Sequence, residues 1–350
     1  MGAARSACKA RGGRQRYCGS IFAAFTFRSS AHGAMSARRR AFAALVSSEA
    51  GDHHYAASVR HPALPSGGIP CHKSDVSKPP ILDNKSFAAP SAFAPQALLR
   101  EARRQKGLAA AEVPRVCILD PDGDIVRRLR AAGMAQSFKG WPCYHTALDT
   151  FVLGDETVGI VGCAVGAPFA VLVAEELFAS GCRMLVSLTS AGQIVAAGPP
   201  PYFVIIERAL RDEGTSYHYA APAEFAQADP RLVAMAADAL RAKGLRAQIG
   251  ASWTTDAPFR ETAAAIEWAR EKAALAVEME AAALYAFARA AGAAVLCLAH
   301  VTNTMGRTGQ DFEKGEADGT ADALAVLAAI VAAYAGQHPT VGRHAAEYPT

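Results

Sequence analysis

Short apolar runs and longer helical segments alternate along the middle and end of the sequence. The apolar runs have the length of strands and are nearly continuous, which is typical of strands buried on both faces. They span residues 116–119, 158–161, 184–188, 203–206 and 295–299. The helical segments, several of which end at a glycine, span residues 97–106, 169–180, 230–243, 278–291 and 318–334. The pattern predicts an α/β fold, a three-layer α/β/α sandwich with its ligand site at the carboxyl ends of the strands.

Residues 1–75 follow a different pattern. They are rich in Ala, Arg, Ser and Gly without a sustained apolar period, so we expect a disordered extension that buries too little surface to offset its chain entropy. The acid-poor composition is also typical of an organelle transit peptide. A start assigned too far upstream, with Met35 as one candidate for the true start, is the alternative. A catalytic domain is predicted over residues 76–336 and a flexible tail over residues 337–350.

The formal net charge of +4 comes mostly from the first forty residues, and the remainder is close to neutral. No stripe of Lys and Arg interleaved with aromatics is present, so nucleic acid is not an expected partner. No apolar stretch reaches the roughly 20 residues of a membrane span. The eight cysteines contain no Cys-x-x-Cys pair, which favours a reducing compartment and a cytoplasmic protein. The dispersed His and Cys residues predict no metal site, and the glycine spacing predicts no dinucleotide cofactor.

The most informative stretch, residues 277–285, reads Val-Glu-Met-Glu-Ala-Ala-Ala-Leu-Tyr. Two carboxylates, Glu278 and Glu280, flank Met279 at the predicted start of an Ala-rich helix. A carboxylate accepts hydrogen bonds from vicinal hydroxyls such as those of a ribose, and a thioether offers an apolar floor beneath a sugar ring. The alternative is ordinary helix chemistry, because acids favour the first turn of a helix through its dipole.

Four segments occur in an order that resembles the nucleoside phosphorylase family, which contains the uridine and purine nucleoside phosphorylases. They are Gly-Cys-Ala-Val-Gly-Ala-Pro at 162–168, Ser-Leu-Thr-Ser-Ala-Gly at 187–192, Trp-Thr-Thr-Asp-Ala-Pro-Phe-Arg-Glu at 253–261, and the stretch at 277–285. The last is the most specific, since glycine turns occur in many α/β folds. The resemblance covers residues 76–336 and implies a phosphorylase-like fold with a central mixed sheet. It also implies that Glu280 binds the ribose hydroxyls, that Met279 packs against the sugar and that Glu278 is a neighbouring substrate contact.

The same resemblance places a base pocket at residues 254–261. Phe259 would stack on the base, Asp256 and Arg260 would hydrogen-bond its edge, and Asp256 is counted among the catalytic residues. The alternative is that this stretch begins a helix, with Thr255 or Asp256 as its cap. The sequence does not choose between a purine and a pyrimidine.

Asn303 follows the last apolar run, where the relatives carry an Asp, Asn or Arg that stabilises the leaving base. Negative charge builds on the base as the glycosidic bond breaks, so an amide donor at a base nitrogen would lower the barrier. In the alternative interpretation, Asn303 caps a turn and the nearby His300 is a core histidine.

The resemblance also implies inorganic phosphate as co-substrate, held by Gly166, Thr189 and Ser190. Part of the expected anion site is missing, however. The relatives' Gly-Asp-Pro-x-Arg turn reads Leu-Asp-Pro-Asp-Gly at 119–123, and Ser187 stands where they carry an arginine. Without guanidinium charge the affinity for phosphate should fall.

Arg127, Lys139 or another subunit could supply the missing charge, and the function therefore stays open among three hypotheses. The first is a nucleoside phosphorylase, a pentosyltransferase of nucleoside catabolism or salvage that needs no cofactor. The second is a nucleoside hydrolase on the same fold, with water as nucleophile. The third is a non-catalytic nucleoside-binding relative. A homo-oligomer is expected, because the relatives assemble their sites near subunit interfaces.

Overall fold

The computed structural model describes residues 79–304 and 319–338. The predicted extension over residues 1–75 and residues 339–350 of the predicted tail lie outside the described residues. The strands are β1 (Val116–Asp120), β2 (Gln136–Ser137), β3 (Asp149–Leu153), β4 (Glu156–Gly162), β5 (Met184–Gln193), β6 (Tyr202–Asp212), β7 (Phe225–Gln227), β8 (Ala247–Thr255), β9 (Ala274–Glu278) and β10 (Ala294–Thr304). The α-helices are α1 (Pro95–Lys106), α2 (Asp124–Ala131), α3 (Ala167–Ala179), α4 (Pro230–Ala242), α5 (Ala263–Glu271), α6 (Ala281–Ala291) and α7 (Thr320–Gln337).

The ten strands form one mixed sheet in the order β10-β6-β8-β9-β5-β1-β4-β3-β2, with β7 beside β6. β1 runs parallel to β4 and β5, whereas β3 and β9 run antiparallel to their partners β4 and β5. β10 pairs with β5 as well as with β6. The strands β5, β9, β8, β6 and β10 therefore close into a ring, and the remaining strands extend from β5 as an open sheet.

Two groups of helices cover the sheet. α3 packs against α1 and α6 in one group, and α7 packs against α2 and α4 in a second group. The central strand β1 is buried along its whole length, as a strand covered on both faces must be. The fold class predicted from the sequence, an α/β/α arrangement around a mixed sheet, is confirmed. The closure of five strands into a ring was not part of that prediction.

Helix α7 is long and apolar enough, by length and composition, to cross a membrane. Its side chains Leu327, Ile330 and Val331 are buried in the main hydrophobic core. Long apolar helices of this kind also occur in protein cores, and the packing of α7 on the neighbouring helices explains its composition.

The largest difference from the predicted elements concerns residues 274–281. The sequence pattern predicted a helix from residue 278, but Glu278 is the last residue of β9 and α6 begins at Ala281. β9 is short and rich in alanine, so its composition does not distinguish it from the helix that follows. β5, β6 and β10 are also longer than predicted, because their polar ends continue to pair beyond the apolar runs.

The ring brings strand ends from distant parts of the chain together. Thr254 on β8 lies beside Glu278 on β9, and Val277 lies beside Gly192 on β5. On the other side of β5, His300 of β10 lies beside Ser190. Three segments singled out in the sequence thus end around the same opening of the ring.

Candidate active site

Glu280 lies between β9 and α6 and is almost fully buried, with 1% of its surface exposed. Its Oε1 accepts a hydrogen bond from the N–H of Gly166 at 2.7 Å, and its Oε2 accepts a longer one from the N–H of Met279 at 3.3 Å. Gly166 precedes α3 and has a φ of 89°, which favours glycine. Two of the predicted segments are therefore in direct contact, and the amide of Gly166, expected at phosphate, binds this carboxylate.

Burial raises the pKa of the Glu280 carboxyl to about 8, because the charged form loses its hydration. The charges of Glu278 and Asp122 contribute to this increase, whereas the Gly166 N–H and the Thr189 hydroxyl favour the ionised form and oppose it. At neutral pH the carboxyl of the free protein is therefore mostly protonated. A ligand that donates hydrogen bonds to it would favour ionisation, which suits a pair of neighbouring hydroxyls.

Glu278 is also buried, but internal donors surround it. Its Oε1 accepts hydrogen bonds from Ser252 Oγ at 2.9 Å and Thr254 Oγ1 at 2.5 Å. Its Oε2 accepts from the backbone N–H groups of Glu280 and Ala281, both at 2.7 Å. These N–H groups belong to the first turn of α6 and have no partner within the helix, so Glu278 caps that helix. Its predicted role as a substrate contact stays a prediction, while its structural role follows from these contacts.

Met279 lies between the two carboxylates and is partly exposed, so its side chain is available to a ligand. Behind it, Thr254 Oγ1 accepts a hydrogen bond from the N–H of Ala282 at 3.0 Å. The start of α6 is therefore anchored to β8 as well as to β9. This anchoring fixes the backbone on which Met279 and Glu280 stand.

The loop that leaves β1 reaches the end of β5 through a single hydrogen bond. Asp122 Oδ2 accepts from the N–H of Ser190 at 2.8 Å. Thr189 is buried next to Ser190, and its hydroxyl favours the ionised form of Glu280. Gly166, Thr189 and Ser190, predicted together from the sequence, therefore lie around Glu280 and Asp122.

The expected phosphate donors are already engaged. The amides of Gly166 and Ser190 each bind a carboxylate oxygen of the protein itself. Arg127, a proposed source of charge, forms an ion pair with Asp124 and donates to the backbone oxygen of Asp122 at 3.0 Å. Ser187, which stands in place of an arginine, is buried and its hydroxyl has no partner among the residues the structure describes.

The segment predicted as base pocket lies on the surface. Phe259 is fully exposed, and Arg260 is exposed beside it in the 3-10 turn Pro258–Arg260. Asp256 is exposed too, and its Oδ2 accepts from the N–H of Gly214 at 2.8 Å. Their roles at a base stay predictions.

The alternative interpretation of this segment was wrong in its choice of cap. Helix α5 begins at Ala263, and its cap is Thr262, whose side chain accepts from the N–H of Ala265 at 3.2 Å. Thr255 instead accepts from the N–H of Ala257 at 3.2 Å and so closes the turn that precedes the helix.

Asn303 lies on β10 beside Gly192 of β5, at the same end of the ring as the other predicted residues. Its Oδ1 accepts a hydrogen bond from Thr302 Oγ1 at 3.4 Å. His300 is buried and stacks on Phe203 with ring centroids 4.5 Å apart, which agrees with the core role considered for it. The role of Asn303 at a leaving base stays a prediction.

The sequence did not single out Asp122 or Ser252 as functional residues. The only signal for Asp122 was the departure from the relatives' turn at residues 119–123, which pointed to a lost arginine and not to a gained carboxylate. Ser252 lies two residues before the predicted pocket segment at 254–261 and had no signal of its own. Within the described ranges, no group of three His, Cys, Asp or Glu side chains is placed to hold a metal ion.

Residues 115–334, well over half of the chain, match the sequence model of the phosphorylase superfamily. The chain belongs to the phosphorylase superfamily. The resemblance found in the sequence motifs is thereby confirmed, and the match includes every segment that surrounds Glu280. Among curated proteins, no sequence matches this superfamily member.

Solved structures similar to this phosphorylase-superfamily chain include the uridine phosphorylase from Vibrio fischeri ES114 complexed with 6-hydroxy-1-naphthoic acid. Its TM-score is 0.54 at 21% identity, over 65% of this chain and 97% of that chain. A second structure of the uridine phosphorylase from Vibrio fischeri ES114 has a TM-score of 0.52 at 21% identity, over 65% of this chain and 92% of that chain. At this identity the likeness establishes the fold alone.

Proposed function

We propose that this protein cleaves the N-glycosidic bond of a nucleoside and transfers the pentosyl group to phosphate, as a pentosyltransferase of nucleoside catabolism or salvage. The observation that carries the proposal is the placement of Glu280. It is a buried carboxylate with a raised pKa, held between the Gly166 loop and the end of β5. Buried acids with perturbed pKa values are concentrated at functional sites, and membership of the phosphorylase superfamily supports the reaction class.

In this reaction Glu280 accepts hydrogen bonds from the 2′ and 3′ hydroxyls, and Met279 packs against the sugar. The phosphate oxygen forms a bond to C1′ while the C1′–N bond breaks, and the base departs with the electron pair of that bond and takes up a proton. Asn303 donates to the base as negative charge develops. Phe259 stacks on the base, and Asp256 and Arg260 hydrogen-bond its edge.

Hydrolysis is a second candidate, and a specific observation favours it. Both expected phosphate amides, those of Gly166 and Ser190, bind carboxylates of the protein. Phosphate must displace a carboxylate from the Ser190 amide, whereas a neutral water meets no such competition. In hydrolysis the water oxygen bonds to C1′, the C1′–N bond breaks, and the water releases a proton.

A panel of purine and pyrimidine nucleosides, incubated with and without inorganic phosphate, tests the proposal. Release of base that depends on phosphate and yields a pentose 1-phosphate is the expected result. Release without phosphate supports the hydrolase. Binding of nucleoside without release of base in either buffer would overturn the enzymatic function and leave a non-catalytic nucleoside binder. The same panel identifies the base.

We also propose that the protein is a cytoplasmic homo-oligomer that needs no cofactor. The five cysteines within the described residues are free thiols, which agrees with a reducing compartment. Val165 and Leu172, near the start of α3, are apolar and substantially exposed, which a subunit contact would cover. Light scattering coupled to size-exclusion chromatography measures the assembly directly.

A further inference from the structure

The turn that carries Asp122 is held rigidly. Asp120 accepts hydrogen bonds from the N–H of Gly123 at 3.2 Å and of Val126 at 2.9 Å, and Arg127 donates to the backbone oxygen of Asp122. Gly123 has a φ of 75°, which favours glycine. A Cβ at this position would lie 2.5 Å from the Sγ atom of Cys163, in the loop that precedes α3. These contacts fix the backbone of the turn, and the turn holds the Asp122 carboxylate beside Ser190.

The Asp122 carboxylate occupies the Ser190 N–H, which is the hydrogen-bond donor that a bound phosphate would need. The N–H of Ser190 points to Asp122 Oδ2 at 2.8 Å, and a backbone N–H satisfies one strong acceptor at a time in good geometry. Asp122 is near enough to Glu280 for its charge to raise the pKa of that carboxyl. A phosphate dianion at Ser190 would therefore meet competition for the amide and repulsion from Asp122.

The space beside this contact is small. Asp120, Asp122, Ser190, His300 and Thr320 line a cavity of about 20 Å³. About 10–15 Å³ of such space is enough for one water, whereas phosphate, a tetrahedral ion, is several times larger than water. The hydroxyl oxygen of Thr320 is buried there and lacks a hydrogen-bond partner among the described residues, as a group that binds a water would.

We propose that Asp122 weakens phosphate binding: its carboxylate competes with phosphate for the Ser190 amide and so raises the share of turnover in which water replaces phosphate as the acceptor. This inference rests on the proposed glycosidic cleavage. When water is the acceptor, its oxygen bonds to C1′, the C1′–N bond breaks, and the base leaves with the electron pair and takes up the proton that the water releases. Phosphorolysis requires that Asp122 first release the amide.

The test is the ratio of base release in saturating phosphate to base release without phosphate, in the wild type and two variants. Asp122→Ser removes the charge and opens space, and it should raise this ratio by about tenfold or more, because charge-assisted hydrogen bonds are the stronger ones. Asp122→Asn keeps the shape and an acceptor oxygen, so it should raise the ratio less. Asp238→Asn, which removes an exposed carboxylate on α4, is the matched control and should leave the ratio unchanged.

A ratio that stays within twofold of the wild type in both folded Asp122 variants would overturn the inference while leaving the glycosidic cleavage intact. Failure of the wild type to release any base would instead count against the proposed function. Isothermal titration with inorganic phosphate decides the inference in that case. Asp122→Ser should bind phosphate about tenfold more tightly than the wild type, and equal affinity would refute the competition.

Discussion

The end of β9 and the start of α6 present the same residue type, two positions apart, in opposite roles. Glu278 and Glu280 are both buried, with 3% and 1% of their surface exposed. Glu278 accepts four hydrogen bonds of 2.9 Å or less from groups of the protein. Glu280 accepts one short bond from Gly166 and one long bond from Met279. The first carboxylate is fully occupied by the fold, and the second has acceptor capacity left for a ligand.

The difference teaches how to distinguish a structural acid from a functional one when both are buried. A buried carboxylate is tolerated where donors replace its hydration, as they do around Glu278. Burial raises the pKa of both carboxyls, so the difference lies in the hydrogen bonds: Glu280 has fewer internal donors than Glu278. A buried carboxylate with unused acceptor capacity lowers the stability of the fold and is typical of ligand-binding and catalytic sites. The comparison therefore indicates a structural role for Glu278 and a ligand-binding role for Glu280.

The strongest way to break this comparison is to remove the carboxylate of Glu278. Glu278→Ala should lower the free energy of unfolding by about 3–5 kcal/mol, because several buried donors lose their acceptor at once. Urea denaturation followed by circular dichroism measures the loss. Ser252→Ala removes a single donor and should cost only about 1 kcal/mol. A Glu278→Ala variant as stable as the wild type would show that the four contacts are not the support of α6.

The reverse experiment acts on Glu280. Glu280→Gln should lower kcat/KM for nucleoside cleavage by about 100-fold or more, because the charge-assisted hydrogen bonds to the ribose hydroxyls, each worth about 1.5–3 kcal/mol, are weakened. The amide oxygen still accepts from the Gly166 N–H, so the fold should be kept. Base release under single-turnover conditions is the measurement. Activity within threefold of the wild type would remove Glu280 from the site.

The pH dependence of stability sharpens the same contrast. The pKa of Glu280 is raised to about 8 in the folded protein, so its folded form keeps a proton that the unfolded chain releases. The stability from this group is present below the ordinary carboxyl pKa and is lost as pH rises through about 8. Glu280→Gln lacks this loss and should exceed the wild type by on the order of 1–3 kcal/mol at pH 8.5, with no difference near pH 4.5. Thermal melting curves of both proteins at both pH values test this prediction. A stability difference between Glu280→Gln and the wild type that is the same at pH 4.5 and pH 8.5 would contradict it.

The sequence predicted the elements whose signal is local. The apolar run at 116–119 and the helix that ends before Gly244 required only short-range patterns, and both were found. β9 was missed because an alanine-rich strand followed by Glu-Met-Glu has the composition of a helix start. Its identity depends on pairing with β5 and β8, which the local pattern does not contain.

The candidate site divides in the same way. Glu280 was found because its motif is local and specific, whereas its partner Gly166 is 114 residues away and was assigned to phosphate. The contact between Asp122 and Ser190 joins positions 68 residues apart. Only the tertiary fold, which places β1 between β5 and β4 and brings Gly166 to Glu280, shows that these amides are occupied. The sequence therefore indicates which polar residue types stand at the strand ends, whereas the partner that each donor binds depends on the fold.

The smallest expected effect concerns the exposed side of the comparison, the predicted base pocket. Phe259 is fully exposed, so Phe259→Ala should change the free energy of unfolding by less than about 0.5 kcal/mol. If the ring stacks on the base, the same change should raise KM for the nucleoside about fivefold with kcat little altered, because stacking of an aromatic side chain on a base contributes about 1–3 kcal/mol. Trp268→Ala, which removes a partly exposed aromatic side chain on α5, is the control and should leave KM unchanged. An unaltered KM in Phe259→Ala would place the base elsewhere on the ring and leave the roles of Glu278 and Glu280 untouched, since neither depends on this turn.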